Sequence, residues 1–150
     1  MTLPEARPLQ QRIADTRTRF EQDEDTWVST GGTKGPYLVP LSFDWDGDHF
    51  VISTVTTSTT ARNLVENGKV RLAFGPTRDV TLVEGTAEVV ADAEVEATVG
   101  PSFATRTGWD PRKEPQDYRW FRITPRRIQA WREVNELAGR DLMKQGRWLG

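Results

Sequence analysis

The chain has 150 residues, 28% of them charged, a formal net charge of -2 and no cysteine. That length suits one domain spanning residues 1–150 with a sizeable core, and the charge balance gives no basic field for gripping nucleic acid. The missing cysteine excludes disulfides, thiolate nucleophiles and Cys-ligated zinc or iron–sulfur centres, and the single histidine, His49, leaves no multi-histidine metal site.

Along the chain, "PLQQRIADTRTRF" sets Leu9, Ile13, Thr16 and Phe20 on one helical face, and the acidic run Glu21 to Asp25 solvates the end of that helix. From Thr26 the period changes to two. "TWVST" and "PYLVPLSFDW" predict a hairpin around "GGTKG", with Tyr37, Val39, Leu41, Phe43 and Trp45 on one strand face. Asp46-Gly47 turns the chain into a third strand, His49 to Thr54, so the three strands are expected as consecutive antiparallel neighbours. His49, directly after "DGD", reads as a surface residue.

Ser58 or Thr59 caps a helix of about two turns with Ala61, Leu64 and Val65 on its apolar side and Gly68 at its end. "KVRLAFG" and "VTLVEGTAEVVA" are strands around a "PTRD" turn, and Gly85 marks a bulge or a close backbone approach. Asp92 opens a helical segment that Gly100-Pro101 interrupts. "YRWFRITPRRIQAW" is a strand or strand pair with a bend or edge at Pro125, and the tail from Arg132 is partly helical. These elements add up to a mainly β protein, a small closed antiparallel barrel with a few helices. No apolar window approaches 18 residues and "MTLPEARPLQQR" lacks the apolar core of a signal peptide, so a cytoplasmic location without membrane contact is expected.

The densest chemical signal is "STVTTSTTARN". Six of the seven residues from Thr54 to Thr60 carry a hydroxyl, at the point where a strand ends and a helix begins. A helix start presents unpaired N–H groups and the positive end of the helix dipole. Hydroxyls and Arg62 in the first turn add donors for an anion. Capping a helix and lining a polar loop accounts for the same residues, and no Gly-rich phosphate fingerprint accompanies them.

Four stretches, "GPYLVPLSFDWDGDHFVIST", "STTARNLVENGKVRLAF", "VEGTAEVV" and "TPRRIQAW", occur in an order and spacing that resembles the pyridoxamine 5'-phosphate oxidase-like family, over roughly residues 10 to 132. The resemblance implies a split antiparallel β-barrel acting as a homodimer, with FMN, or the deazaflavin coenzyme F420, between subunits. It further implies a ring-binding strand at Val39, Pro40, Leu41 and Ser42, with the phosphate end beside Thr54, Thr56, Ser58, Thr60, Arg62 and Asn63. It brings Trp131 to the cofactor from the other subunit. The function implied is hydride transfer between the flavin and a small-molecule substrate, the protein positioning both.

Two departures separate the chain from the oxidase proper. Basic residues of the oxidase are replaced by Thr59 and Thr60, and the lysine closing its ring-binding strand by Asp44. Arg62, Lys69, Arg71 and Arg78 are the available substitute cations. The Arg-x-His substrate motif has no counterpart in "ELAGRDLMKQGRWL", so vitamin B6 oxidation is not expected. The alternatives are a barrel that binds cofactor or another ligand without turnover, and a purely structural dimer.

Overall fold

The computed structural model describes residues 2–150. Helix α1 (Leu9–Gln22) buries Arg12, Ile13, Thr16 and Phe20, the predicted face with one arginine added. Strands β1 (Asp25–Gly32), β2 (Gly35–Ser42), β3 (Asp44–Trp45) and β4 (Phe50–Val55) precede helix α2 (Thr59–Asn67), and β5 (Lys69–Phe74) and β6 (Val80–Val89) follow it. A helical segment then runs through α3 (Asp92–Glu94), a π turn (Val95–Val99) and α4 (Gly100–Thr107). The chain ends with β7 (Tyr118–Trp131), β8 (Asp141–Lys144) and β9 (Arg147–Trp148).

The sheet runs β2-β1-β5-β6-β7-β4-β3, with antiparallel pairing throughout and β8 and β9 added beside β7. Its two ends, β2 and β3, are successive pieces of one extended stretch, so the sheet curls back on itself. Barrel closure is incomplete at one place. The ladder from Trp45↔Phe50 and Asp44↔Val51 stops there, because Ser42 already pairs with Asp25 of β1. From that point β2 runs beside β4 without a ladder. The fold is mainly β, a split antiparallel barrel with flanking helices, as expected, and this open seam is the split.

Alternation along the strands fills the ring. Val28, Phe50, Ile52, Val83, Phe121 and Ile123 have no exposed surface, and each such side chain contributes about 1.5–3 kcal/mol by leaving water. Helix α1 plugs one end, where the Phe20 ring meets Phe50, Phe74 and Trp45 at 4.8, 5.0 and 5.0 Å. Helix α2 covers the other. A second apolar cluster on the outer side of β4 and β7 joins Val51 and Trp120 to Val95, Val99 and Phe103.

Several local expectations are corrected. The third predicted strand pairs with the second only through the two residues of β3, so the three are not simple consecutive neighbours. Val65 is 52% exposed, while Thr60 and Asn63 join Ala61 and Leu64 on the buried side of α2; its inner face lies against the polar barrel rim as well as the core. Gly100-Pro101 does not interrupt its helix, because the preceding π turn rearranges the carbonyl ladder that a proline would otherwise clash with. The tail holds only a 3₁₀ turn, Val134–Glu136, before the β8–β9 hairpin. Of the alternatives left open for the last long segment, Tyr118–Trp131 is one strand, and Pro125 marks a bend, buried at a bulge opposite Gly85. The close approach expected at Gly85 is there: a Cβ on it would lie 2.9 Å from both Ile123 Cγ2 and the Thr124 carbonyl oxygen.

Candidate functional site

The hydroxyl run folds as a turn and a helix cap between β4 and α2. Ser58 is the N-cap, its Oγ accepting from the Ala61 N–H at 3.1 Å, and Gly68 ends the helix in the left-handed region at φ 66°. Thr54, at the end of β4, places its Oγ1 3.2 Å from Ser58 Oγ. Thr56 turns the other way, donating to the Asp117 carbonyl and carboxylate at 3.1 and 3.2 Å. Thr60, 1% exposed, faces inward. Asn63 is also buried and donates to Thr30 Oγ1 at 3.0 Å, tying α2 to the β1–β2 hairpin.

Arg62 is exposed on the outer side of the first turn, and its one side-chain hydrogen bond runs to Thr59 Oγ1 at 3.4 Å. Among the described residues no carboxylate pairs with it. Two other candidate cations are engaged, Arg71 with Glu84 at 2.7 Å and Arg78 with Glu133 at 3.1 Å. Asp44, which stands where the oxidase has lysine, is buried and accepts from Ser102 Oγ at 2.6 Å and the Trp45 N–H at 2.8 Å.

Val39 to Ser42 lie along β2 at the seam. Val39 and Leu41 are half-buried against the core, Pro40 is exposed, and Ser42 Oγ donates to Asp25 at 2.8 Å. The structure thus brings the β2 segment, Thr54, Ser58 and the α2 start to one seam. Trp131 is elsewhere. It pairs with Val80 at the far end of β7 from Tyr118, which pairs with Val55, a separation of about 40 Å along the strand. Within one chain it does not reach the hydroxyls.

Larger concavities flank the seam rather than occupy it. One, of about 550 Å³, is lined by Gly32, Pro36, Lys69 and Arg71; another, of about 500 Å³, by Glu96, Arg112, Glu114 and Tyr118. Beside the seam the outer sheet face is apolar. Trp27 and Leu38 are 49% and 58% exposed there, next to Ala73 and Leu82 around a hollow of about 210 Å³. Among the described residues no group of three or more His, Cys, Asp or Glu side chains is placed to hold a metal ion, and no helix is long and apolar enough to cross a membrane.

The sequence reading missed one cation at this end. Arg119 is directly opposite Thr54 in the β4–β7 ladder, half-buried, and its carbonyl accepts from Ser53 Oγ at 3.3 Å. Only the cross-strand register reveals that neighbour, 65 residues away in sequence.

A split antiparallel barrel with one open seam is a fold shared with many solved structures. Three of them are an FAD-binding protein from Mesorhizobium loti (15% identity over 77% of this chain and 90% of that one, TM-score 0.63), general stress protein 26 from Bacillus anthracis (20%, 80% and 94%, 0.61) and an F420 reductase (18%, 84% and 98%, 0.61). No curated protein matches the sequence. The pyridoxamine 5'-phosphate oxidase family model matches residues 14–132, most of the chain. The chain belongs to the pyridoxamine 5'-phosphate oxidase family.

Proposed function

We propose that the chain is a cytoplasmic, homodimeric oxidoreductase that binds FMN, or alternatively coenzyme F420, and transfers hydride between it and a small substrate other than a B6 vitamer. The observation that carries this reading is Arg62, a guanidinium without a carboxylate partner beside the Ser58 cap at the end of the open seam. A phosphate there meets a full charge, hydroxyls and the first-turn N–H groups together. The names of two structural neighbours, an FAD-binding protein and an F420 reductase, support the cofactor class.

In this reading Arg62, Thr54 and Ser58 hold the phosphate end and Val39 to Ser42 lie along the ring, which supplies the electron-pair chemistry when bound. Thr60 and Asn63 act through the packing of α2, and Thr56 through the turn it ties to Asp117. The open seam is completed by a second copy, whose Trp131 closes over the ring. The exposed Trp27 and Leu38 face supports such a partner, since aromatic and aliphatic groups of this size are concentrated in buried interfaces.

A non-catalytic binding role is favoured by one observation, the engagement of Asp44 by Ser102 and the Trp45 N–H at the position where the resemblance sets the oxidase's lysine. Titration separates the readings. FMN and F420 are added to the purified protein while absorbance and sedimentation are followed, and their reduced forms are then mixed with quinone-like or unsaturated acceptors; a dimer that perturbs one cofactor spectrum and accelerates oxidation of the reduced form by an acceptor is the expected result. Binding without turnover returns the non-catalytic role, and a monomer that binds neither coenzyme rejects the proposal.

A further inference from the structure

We infer that Arg119 is a second anion-binding residue of this site, the inner counterpart of Arg62, and that it selects ligands carrying a phosphate. The inference deepens the proposed function and rests on it for the identity of the ligand. Thr54↔Arg119 are partners in the ladder, so their side chains leave the same face of the sheet with Cβ atoms about 5 Å apart. That face is the inner one, shared with Ile52 and Phe121, both without exposed surface. Arg119 is where this apolar face ends, at the rim that α2 covers, beside the Thr54–Ser58 hydroxyl pair.

Arg119 is half-buried there, yet among the described residues its side chain makes no ion pair and no hydrogen bond. Asp117, just ahead of β7, turns its carboxylate to Thr56 Oγ1 instead. A guanidinium carries five N–H donors, and those of Arg119 meet no protein acceptor. Further along β7, Arg122 and Arg127 have Glu94 and Asp141, and Arg126, which has no such partner, is exposed to water. An anion between Arg119 and the Ser58 cap supplies the missing acceptor: it meets Arg119 from the β7 side and the Thr54 and Ser58 hydroxyls from the other. A second cation also answers the replacement of the family's basic residues by Thr59 and Thr60.

The test compares FMN with riboflavin, which has the ring and lacks the phosphate, in wild type, Arg119→Gln, Arg119→Lys and the control Arg126→Gln, an exposed arginine of the same strand. Inorganic pyrophosphate is titrated separately, with the melting temperature as readout. The expected result is that Arg119→Gln weakens FMN about tenfold or more, leaves riboflavin unchanged and abolishes stabilisation by pyrophosphate, while Arg119→Lys recovers part of both and Arg126→Gln alters neither. Equal weakening of FMN and riboflavin, or no weakening of either, overturns the inference. If wild type binds no flavin the cofactor reading fails by itself, and pyrophosphate decides Arg119: stabilisation lost in Arg119→Gln and retained in Arg126→Gln supports the role, and any other pattern rejects it. A misfolded Arg119→Gln is recognised by its far-ultraviolet dichroism, and Arg119→Lys then carries the comparison, with an unchanged FMN-to-riboflavin affinity ratio overturning the role.

Discussion

The two ends of the barrel use arginine in opposite ways. At the α1 end Arg12 is 4% exposed and donates to the carbonyls of Arg7, Ala130, Glu136, Ala138 and Gly139 at 2.9–3.4 Å. Beside it Arg7 is clamped by Glu136 at 2.7 Å and Asp15 at 3.0 Å, while Arg19 and Arg132 share Asp79. At the α2 end Arg62 and Arg119 have hydroxyls for neighbours and no carboxylate. Where guanidinium donors are saturated, the cation fastens the chain termini to the barrel. Where they are not, it is available to a ligand.

The largest expected effect breaks the saturated end. Arg12→Ala leaves five carbonyls, one ahead of α1, one on β7 and three between residues 136 and 139, without their shared donor, and is expected to destabilise by about 3–5 kcal/mol. Arg12→Leu, which restores volume without donors, should recover little. Chemical denaturation monitored by tryptophan fluorescence measures both, and a loss below about 1 kcal/mol in Arg12→Ala contradicts the account.

Glu136 gives the same end a pH dependence. Hydrogen bonds from the Arg7 guanidinium, with further help from the Arg7 and Arg132 N–H groups, hold its carboxyl down at about 2, against an ordinary 4.5. Because the folded value is the lower one, its stabilisation is complete above about pH 5 and is lost as pH falls toward 2. A shift of that size corresponds to about 3 kcal/mol. Glu136→Gln should therefore be destabilised by roughly that amount at pH 7 and converge on wild type near pH 2; parallel stability curves across that range would contradict the assignment.

The α2 end should respond in binding rather than in stability. Arg62→Ala is expected to weaken the phosphate-bearing cofactor by about 1.5–3 kcal/mol, ten- to hundredfold, with the melting temperature unchanged, because Arg62 lies outside the buried Ala61 and Leu64 face. Calorimetric titration alongside thermal melts separates the two quantities. An unchanged affinity with a lowered melting temperature would make Arg62 a brace of the helix, the role sequence spacing offers it through Glu66 at i,i+4.

This contrast also marks what local sequence could carry. The α1 face, the Ser58 cap, the Gly68 stop and the Gly85 approach are written in short patterns, and the structure keeps them. Split-barrel order was legible through the resemblance, because four strand segments recur in series. Arg12 was not: it falls between apolar positions, and its partners lie 118 or more residues away apart from Arg7. Arg119 was hidden for the same reason, since only the ladder sets it against Thr54. Val65 failed because the helix rests on a rim where a threonine and an asparagine are the buried residues, so apolar spacing pointed to the wrong side.

The smallest expected effect concerns the missing family cations, and the structure decides where one is restored. Thr60 is 1% exposed, so a lysine there must displace core packing or drag its charge inward. Thr59 is half-buried in the first turn, and its Oγ1 already receives Arg62. Thr59→Lys releases that guanidinium and adds a second charge beside the Ser58 cap. Against this, two neighbouring cations repel, and a lysine is unfavourable at the positive end of the helix dipole when no anion is bound. The free protein should therefore lose a few tenths of a kcal/mol in stability, while the phosphate-bearing cofactor gains about 0.5–1 kcal/mol at low salt. Raising the salt to about 1 M should erase most of the gain, because the Debye length then falls to about 3 Å. Parallel titrations of FMN and riboflavin at both salt concentrations read this directly: a gain for riboflavin as large as that for FMN, or one that survives high salt, would place the phosphate away from the start of α2.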